Sequence, residues 1–306
     1  MQRVHFIAIC DSALHNIAIA ISQKDNFLVT GSDVEFSEPS LTKLKKHRLL
    51  PEKAGWFPDR INKGLHAIII GLNVAIDNPE LMRAKELKLK IYSFPEFLFQ
   101  QTRSKTRIVV GGSNAKTFTT AMILFVLKQL KIDADYMIDN QIDSVESKVK
   151  LSYESRIAVF EGNENSTSNL DNKPQFHYYK PHIAILTGIS ENKNETMTSF
   201  EDYVEKFRKF TELMEVQGRL IYLEDDENLN KIALKLRRDI VPFTFKTADH
   251  EIIDNIVFLK TRYGNIPLKI AGDINLQYLD AARLACRQIG VTDEQFYSVI
   301  SEFTYL

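Results

Sequence analysis

Glycine is scarce in this chain, 12 residues of 306, or about 4% where an average protein spends roughly 7%. Folds that bind nucleotides place glycine in their loops, so any such loop here must form with few. Cysteine is rarer still, with Cys10 and Cys286 alone. They lie far apart and form no CxxC pair, which argues against a zinc site or disulfide framework and fits a reducing compartment, the cytoplasm. An excess of either charge is missing too. Basic side chains number 39 and acidic ones 40, so neither disorder nor a general affinity for nucleic acid is expected. The apolar start, 4–21, is broken by His5, Asp11, His15 and Asn16. Lacking a basic leader and a small-residue cleavage pattern, it reads as neither a signal peptide nor a membrane span.

What is present is an alternation. Short runs of Ile, Val and Phe alternate with helical patterns, which predicts an α/β fold with mostly parallel sheets. Strands are expected near 4–9, 27–30, 67–72 and 90–93, with helices at 12–23, 38–47 and 78–87, where Pro39 and Pro79 stand as helix-start residues. The polar stretch 100–105 marks a boundary, giving domains 1–103 and 104–306. In the second, strands are expected near 107–110, 156–160, 182–187, 219–223 and 241–245, and helices at 117–130, 199–216 and 276–288. The segment 162–180 reads as a long polar loop.

Residues 109–122 carry the chemistry: a strand runs into the turn Gly112-Ser113-Asn114-Ala115-Lys116-Thr117 and then a helix. Such a turn holds phosphate because backbone N–H groups and a helix N-terminus face the anion, a lysine reaches the outer phosphates and a hydroxyl holds magnesium. Ala115 stands where the turn wants glycine, which narrows both the backbone geometry and the room for phosphate. The plainer reading is that Thr117 only starts a helix and Lys116 is solvated.

Val4 to Ile9, Gly31-Ser32-Asp33, Asp77-Asn78-Pro79-Glu80 and Gly112 to Thr117 occur together and in order. In these segments the chain resembles the Mur ligase family, most of all its muropeptide ligase branch. The resemblance implies a Rossmann-like N-terminal domain for a UDP-muramyl ligand and a central P-loop-type ATPase domain for ATP and Mg2+. A C-terminal domain for the amine substrate would follow, and it is expected to be absent here. The implied reaction makes an acyl phosphate from ATP and a muramyl carboxylate, which an amine then displaces.

Carried over residue by residue, Lys116 and Thr117 answer to phosphate and magnesium, and Glu161 to a metal-binding glutamate. The aspartate expected near Gly162-Asn163-Glu164 is missing, and an Asp-His pair falls on Asn192-Lys193. An ammonium in place of an imidazole reverses the interaction with metal. At about 4 Å and an effective dielectric near 20 each unit-charge pair is worth roughly 4 kcal/mol, twice that for a divalent ion. Lys193 is thus expected either to pair with Glu161 in place of the cation or to be an exposed loop lysine. The adenine-recognition run reads Gly272-Asp273-Ile274-Asn275-Leu276-Gln277-Tyr278. It keeps Asn275, which is also read as a plain helix N-cap, but carries Ile274 and Tyr278 where polar groups are expected. In the first turn, Cys10-Asp11-Ser12 replaces a glycine pair and sets the Asp11 charge where a diphosphate would lie. Asp33 is read as a ribose or base contact or a helix cap.

Two functions follow. The first is a degenerate, non-ligating homologue with a binding or regulatory role near peptidoglycan recycling. The second is an active ATP-dependent peptide ligase that needs a partner or the absent domain. A protein partner is expected if the end at 301–306 exposes an apolar patch, although Phe296, Tyr297, Phe303 and Tyr305 would equally pack inward.

Overall fold

The structure, a computed structural model, describes residues 1–142, 145–166, 173–191, 199–270 and 272–305, without the side chains of Asp273 and Ile274. It is α/β with mostly parallel sheets, and it divides into two compact units.

The first unit comprises 1–103 together with 149–153 and 165–179. Strands β1 (Gln2–Ile7), β2 (Phe27–Ser32), β3 (Ala67–Ile70) and β4 (Ile91–Ser93) form a parallel sheet in the order β2-β1-β3-β4. The helices are α1 (Ser12–Ser22), α2 (Ser40–Lys46), α3 (Pro79–Glu86) and α4 (Phe94–Thr102). The run Asp77-Asn78-Pro79-Glu80 shows how local chemistry serves the core. Asn78 caps α3 by accepting from the amides of Glu80 (3.0 Å) and Leu81 (3.1 Å), and Pro79 fills the first turn, where no N–H partner is needed. That start turns Glu80 inward to full burial. There it accepts from Ser32 and the Phe57 amide (2.7 Å) and lies 3.4 Å from His5 Nε2. Burial works to raise the pKa of this carboxyl, yet the bonds to His5, Ser32 and Phe57 together hold it below the usual carboxylate range.

The second unit comprises 104–148, 154–164 and 180–306. Its parallel strands are β5 (Thr106–Gly111), β6 (Ala134–Met137), β8 (Ile157–Glu161), β9 (Ile183–Leu186), β10 (Arg219–Leu223) and β11 (Val241–Phe245), the short pair β7 (Val149–Lys150) belonging to the first unit. They run in the order β11-β10-β9-β5-β8-β6. Near-continuous apolar strands such as Ile108-Val109-Val110 suit a sheet covered on both faces. Helix α5 (Lys116–Gln129) is apolar nearly all round, as burial from Phe118 to Leu124 requires, and packs on α9 (Asp273–Gln288) and α10 (Asp293–Ile300). Three more strands, β12 (His250–Ile253), β13 (Ile256–Thr261) and β14 (Gly264–Leu268), make a small antiparallel sheet. Helices α6 (Phe176–Tyr179, in the first unit), α7 (Phe200–Glu212) and α8 (Glu227–Ala233), with a 3-10 turn at Pro58–Arg60, complete the described elements. The segment 162–180, expected as a loop throughout, thus contains α6. No helix among the described residues is long and apolar enough to cross a membrane.

Candidate functional site

In the second unit β5 is central, with β9 and β8 on its two sides. Register places Gly111 beside Leu186 and Val110 beside Glu161, so the turns after all three strands open at one carboxyl edge. In open α/β sheets that edge is where ligands bind.

The turn after β5 is strapped to the turn after β9. The Ser113 amide donates to Gly188 O (2.9 Å), the Thr187 hydroxyl to Asn114 O (2.5 Å), and the Ser190 amide to Ser113 Oγ (2.9 Å). Gly112 lies at the base with φ +134°, and a Cβ built on it would stand 2.1 Å from Thr187 Oγ1. Ala115 takes the left-handed conformation, φ 56° and ψ 17°, at the N-cap of α5. The geometry expected of glycine is therefore kept by alanine, at a cost of about 1–2 kcal/mol. Substituting Ala115→Gly is expected to stabilise the chain by about 1 kcal/mol, read as a rise in the urea midpoint with an unchanged slope.

Lys116 is not solvated. Its Nζ donates to Gly112 O (2.7 Å) and pairs with buried Glu164 (3.2 Å). Glu164 in turn accepts from Tyr203 (2.9 Å), whose hydroxyl lies 3.1 Å from Ser113 Oγ. Glu161, at the end of β8, is 1% exposed. Burial, followed by the charge of Asp139, pushes its carboxyl up to about 7, against the opposing pull of the Asp139 amide, the Thr117 hydroxyl and Lys116. The folded-state pKa is raised, so the stability contributed by protonated Glu161 is full below its ordinary 4.5 and lost as pH rises to about 7. The difference in melting temperature between wild type and Glu161→Gln is expected to change across that window and to be flat above it.

One cleft of about 690 Å³ collects Ser113 to Phe118 with Lys269, Asn275, Tyr278 and Tyr305. It brings the phosphate-type turn and the start of α9 together. Asn275 is not the N-cap. That position is Gly272, φ 95°, and Asn275 lies inside the first turn of α9. Tyr278 is 6% exposed and packs toward Phe245. Asn192 and Lys193 lie outside the described residues, as does the side chain of Ile274. At the chain's end Phe296 and Phe303 are buried, and Tyr305 packs edge-on against Phe118 at 5.0 Å. Tyr305 is nevertheless 43% exposed.

In the first unit the acidic residues of the first turn are occupied by backbone. Asp11 caps α1, accepting from the Ala13 amide (2.9 Å), with Ser12 exposed beside it. Asp33 is not a helix cap, since Pro39 holds that place for α2. It accepts from the amides of Cys10 (2.9 Å) and Val34 (2.8 Å) and so ties two turns together. Burial and the Asp33 charge raise the Cys10 thiol to about 11, which disfavours its thiolate form. Ala8, φ 66°, is a second left-handed alanine in a turn after a strand.

Sequence reasoning missed Glu164 as a lysine partner, and also Thr187, Tyr203, Asp139, Lys269 and Tyr305. Glu164 sits three residues after Glu161 and was within reach of the motif. The others join the site only through sheet order.

The sequence profile of the Mur ligase middle domain matches residues 110–277. The UDP-N-acetylmuramate–L-alanine ligase of Carboxydothermus hydrogenoformans is 25% identical over 99% of this chain and 65% of its own length. That of Dictyoglomus turgidum is 26% identical over the same shares. The chain thus spans about two thirds of the length of these relatives. Among solved structures, the UDP-N-acetylmuramate:L-alanyl-γ-D-glutamyl-meso-diaminopimelate ligase from Neisseria meningitides superposes with TM-score 0.84 at 17% identity, over 100% of this chain and 99% of that one. A murein peptide ligase from Psychrobacter arcticus gives 0.83 at 19%, over 100% and 69%. These structural likenesses establish the fold. The profile covers more than half of the sequence, so the chain belongs to the Mur ligase family.

Proposed function

We propose that the second unit binds ATP in the cleft between the 112–117 turn and α9, and that the chain serves an ATP-dependent amide ligation on a UDP-muramyl substrate. The observation that carries this reading is the single cleft that joins Lys116 and Thr117 to Asn275. The first amides of α5 have no partner within the helix and favour an anion. Lys116 and Lys269 add positive charge at the same place. Glu161 Oε1 is buried without a hydrogen-bond partner, and with the Thr117 hydroxyl it offers the oxygen donors that Mg2+ prefers. ATP, when bound, would supply the phosphoryl group that activates a carboxylate. Lys116 would exchange Gly112 O for a phosphate oxygen, with Glu164 holding it near the turn.

A second reading, a non-ligating binding protein, is favoured by the engagement of Lys116 with Glu164 and by the Asp11 cap in the first unit's turn. Calorimetric titration with ATP and Mg2+ separates the two. Micromolar binding is expected, followed by phosphate release that depends on UDP-N-acetylmuramate and an amine. If no heat of binding is detected, the ligase reading fails and the non-ligating one replaces it.

A further inference from the structure

Asp139 follows β6 by two residues, and its amide donates to Glu161 Oε2 at 3.0 Å. The two residues are therefore joined at the same carboxyl edge of the sheet. Glu161 is 1% exposed, yet its other oxygen, Oε1, has no hydrogen-bond partner. Leaving a buried acceptor unmet is costly, and an acidic group more so. Lys116, Lys148, Glu164 and Asn163 face Asp139, while Thr117, Lys116 and Tyr305 face Glu161. Lys116 and Lys148 also donate to the carbonyls of Gly112 and Asp139. Three carboxylates thus share two ammonium groups, and one buried oxygen remains unmatched.

We propose that Asp139 is a ligand, with Glu161 and Thr117, of a divalent cation seated beside the turn. The inference rests on the nucleotide reading of the same site. Position 139 would then supply a carboxylate, which neither Asn192 nor Lys193 carries. Two carboxylates and a hydroxyl form a hard donor set suited to Mg2+ or Mn2+. Among the described residues no three acidic, histidine or cysteine side chains are placed to hold a metal ion by themselves, so the Thr117 hydroxyl is needed. Water and phosphate oxygens would fill the other positions, as Mg2+ usually allows.

The test is a titration of the full chain with Mn2+ alone, following free Mn2+ by electron paramagnetic resonance. Wild type is expected to show one saturable site. Asp139→Asn should weaken it at least about tenfold, the loss that even outer-shell partners cause. Without metal, Asp139→Asn should melt no lower than wild type because it removes like-charge repulsion, an effect that a purely structural role would not produce. Asp139→Ser serves as a second variant if the asparagine form fails to fold. Equal Mn2+ affinity in wild type and variant, or no Mn2+ site in wild type, overturns the proposal. ATP affinity measured in EDTA keeps the two readings apart. Binding of ATP without an Asp139-dependent metal site would sink only this inference, and a metal site without ATP binding would sink the nucleotide reading.

Discussion

Gly112→Ala is expected to cost about 3 kcal/mol or more, as the sum of a strained backbone and an overpacked contact. The φ of +134° suits glycine, and the added Cβ would meet Thr187 Oγ1 at 2.1 Å, Thr187 N at 2.9 Å and Gly188 O at 3.1 Å. Two of those three atoms are backbone, so no rotamer change relieves them. Chemical denaturation measures the loss. Adding Thr187→Ala to Gly112→Ala should recover only part of it, because the clash with N of residue 187 and O of residue 188 remains. A full rescue would mean that the backbone of the strap is softer than its hydrogen bonds suggest.

The second large effect is expected at Arg107, which is wholly buried in β5 at the edge opposite the cleft. Its guanidinium donates to Lys180 O (3.0 and 3.2 Å), Lys105 O (3.2 Å) and Glu215 (2.5 Å). Arg107→Leu removes these donors, at about 1–3 kcal/mol for each buried group that loses its partner. Glu215 is more than a third exposed and can return to water. The expected loss is therefore about 3 kcal/mol, below the upper end for a fully buried pair. Arg107→Lys should recover little, since one ammonium cannot replace a planar fork with several donors. A melting temperature for the lysine variant equal to wild type would show that charge alone matters at this position.

Much of this architecture was legible in the chain. Parallel strands announced themselves because burial on both faces demands apolar runs, and 183–186 and 219–223 fall where those runs lie. The sheet β12-β13-β14 escaped notice because its strands are half exposed and mix polar with apolar residues. A signal was available in Asp254-Asn255, both at positive φ (50° and 64°), as a tight hairpin turn requires. Helix α4, Phe94–Thr102, is not among the helices expected from the sequence, because its end runs into the polar stretch 100–105 that reads as a boundary. At the site, Lys116 and Thr117 could be named from the turn motif, and Glu161 and Asn275 from the family resemblance. Tyr203 and Thr187 could not, because their roles depend on which strands are neighbours.

The two left-handed alanines, Ala8 and Ala115, carry a consequence for descent. Glycine and alanine codons differ by a single base, so such turns are one step from either residue. A frame that holds alanine in glycine's conformation lets that step occur without loss of the fold. Shape at these turns can therefore outlast the residue that first made it easy, and lineages of this fold can lose a loop's sequence signature long before they lose the loop.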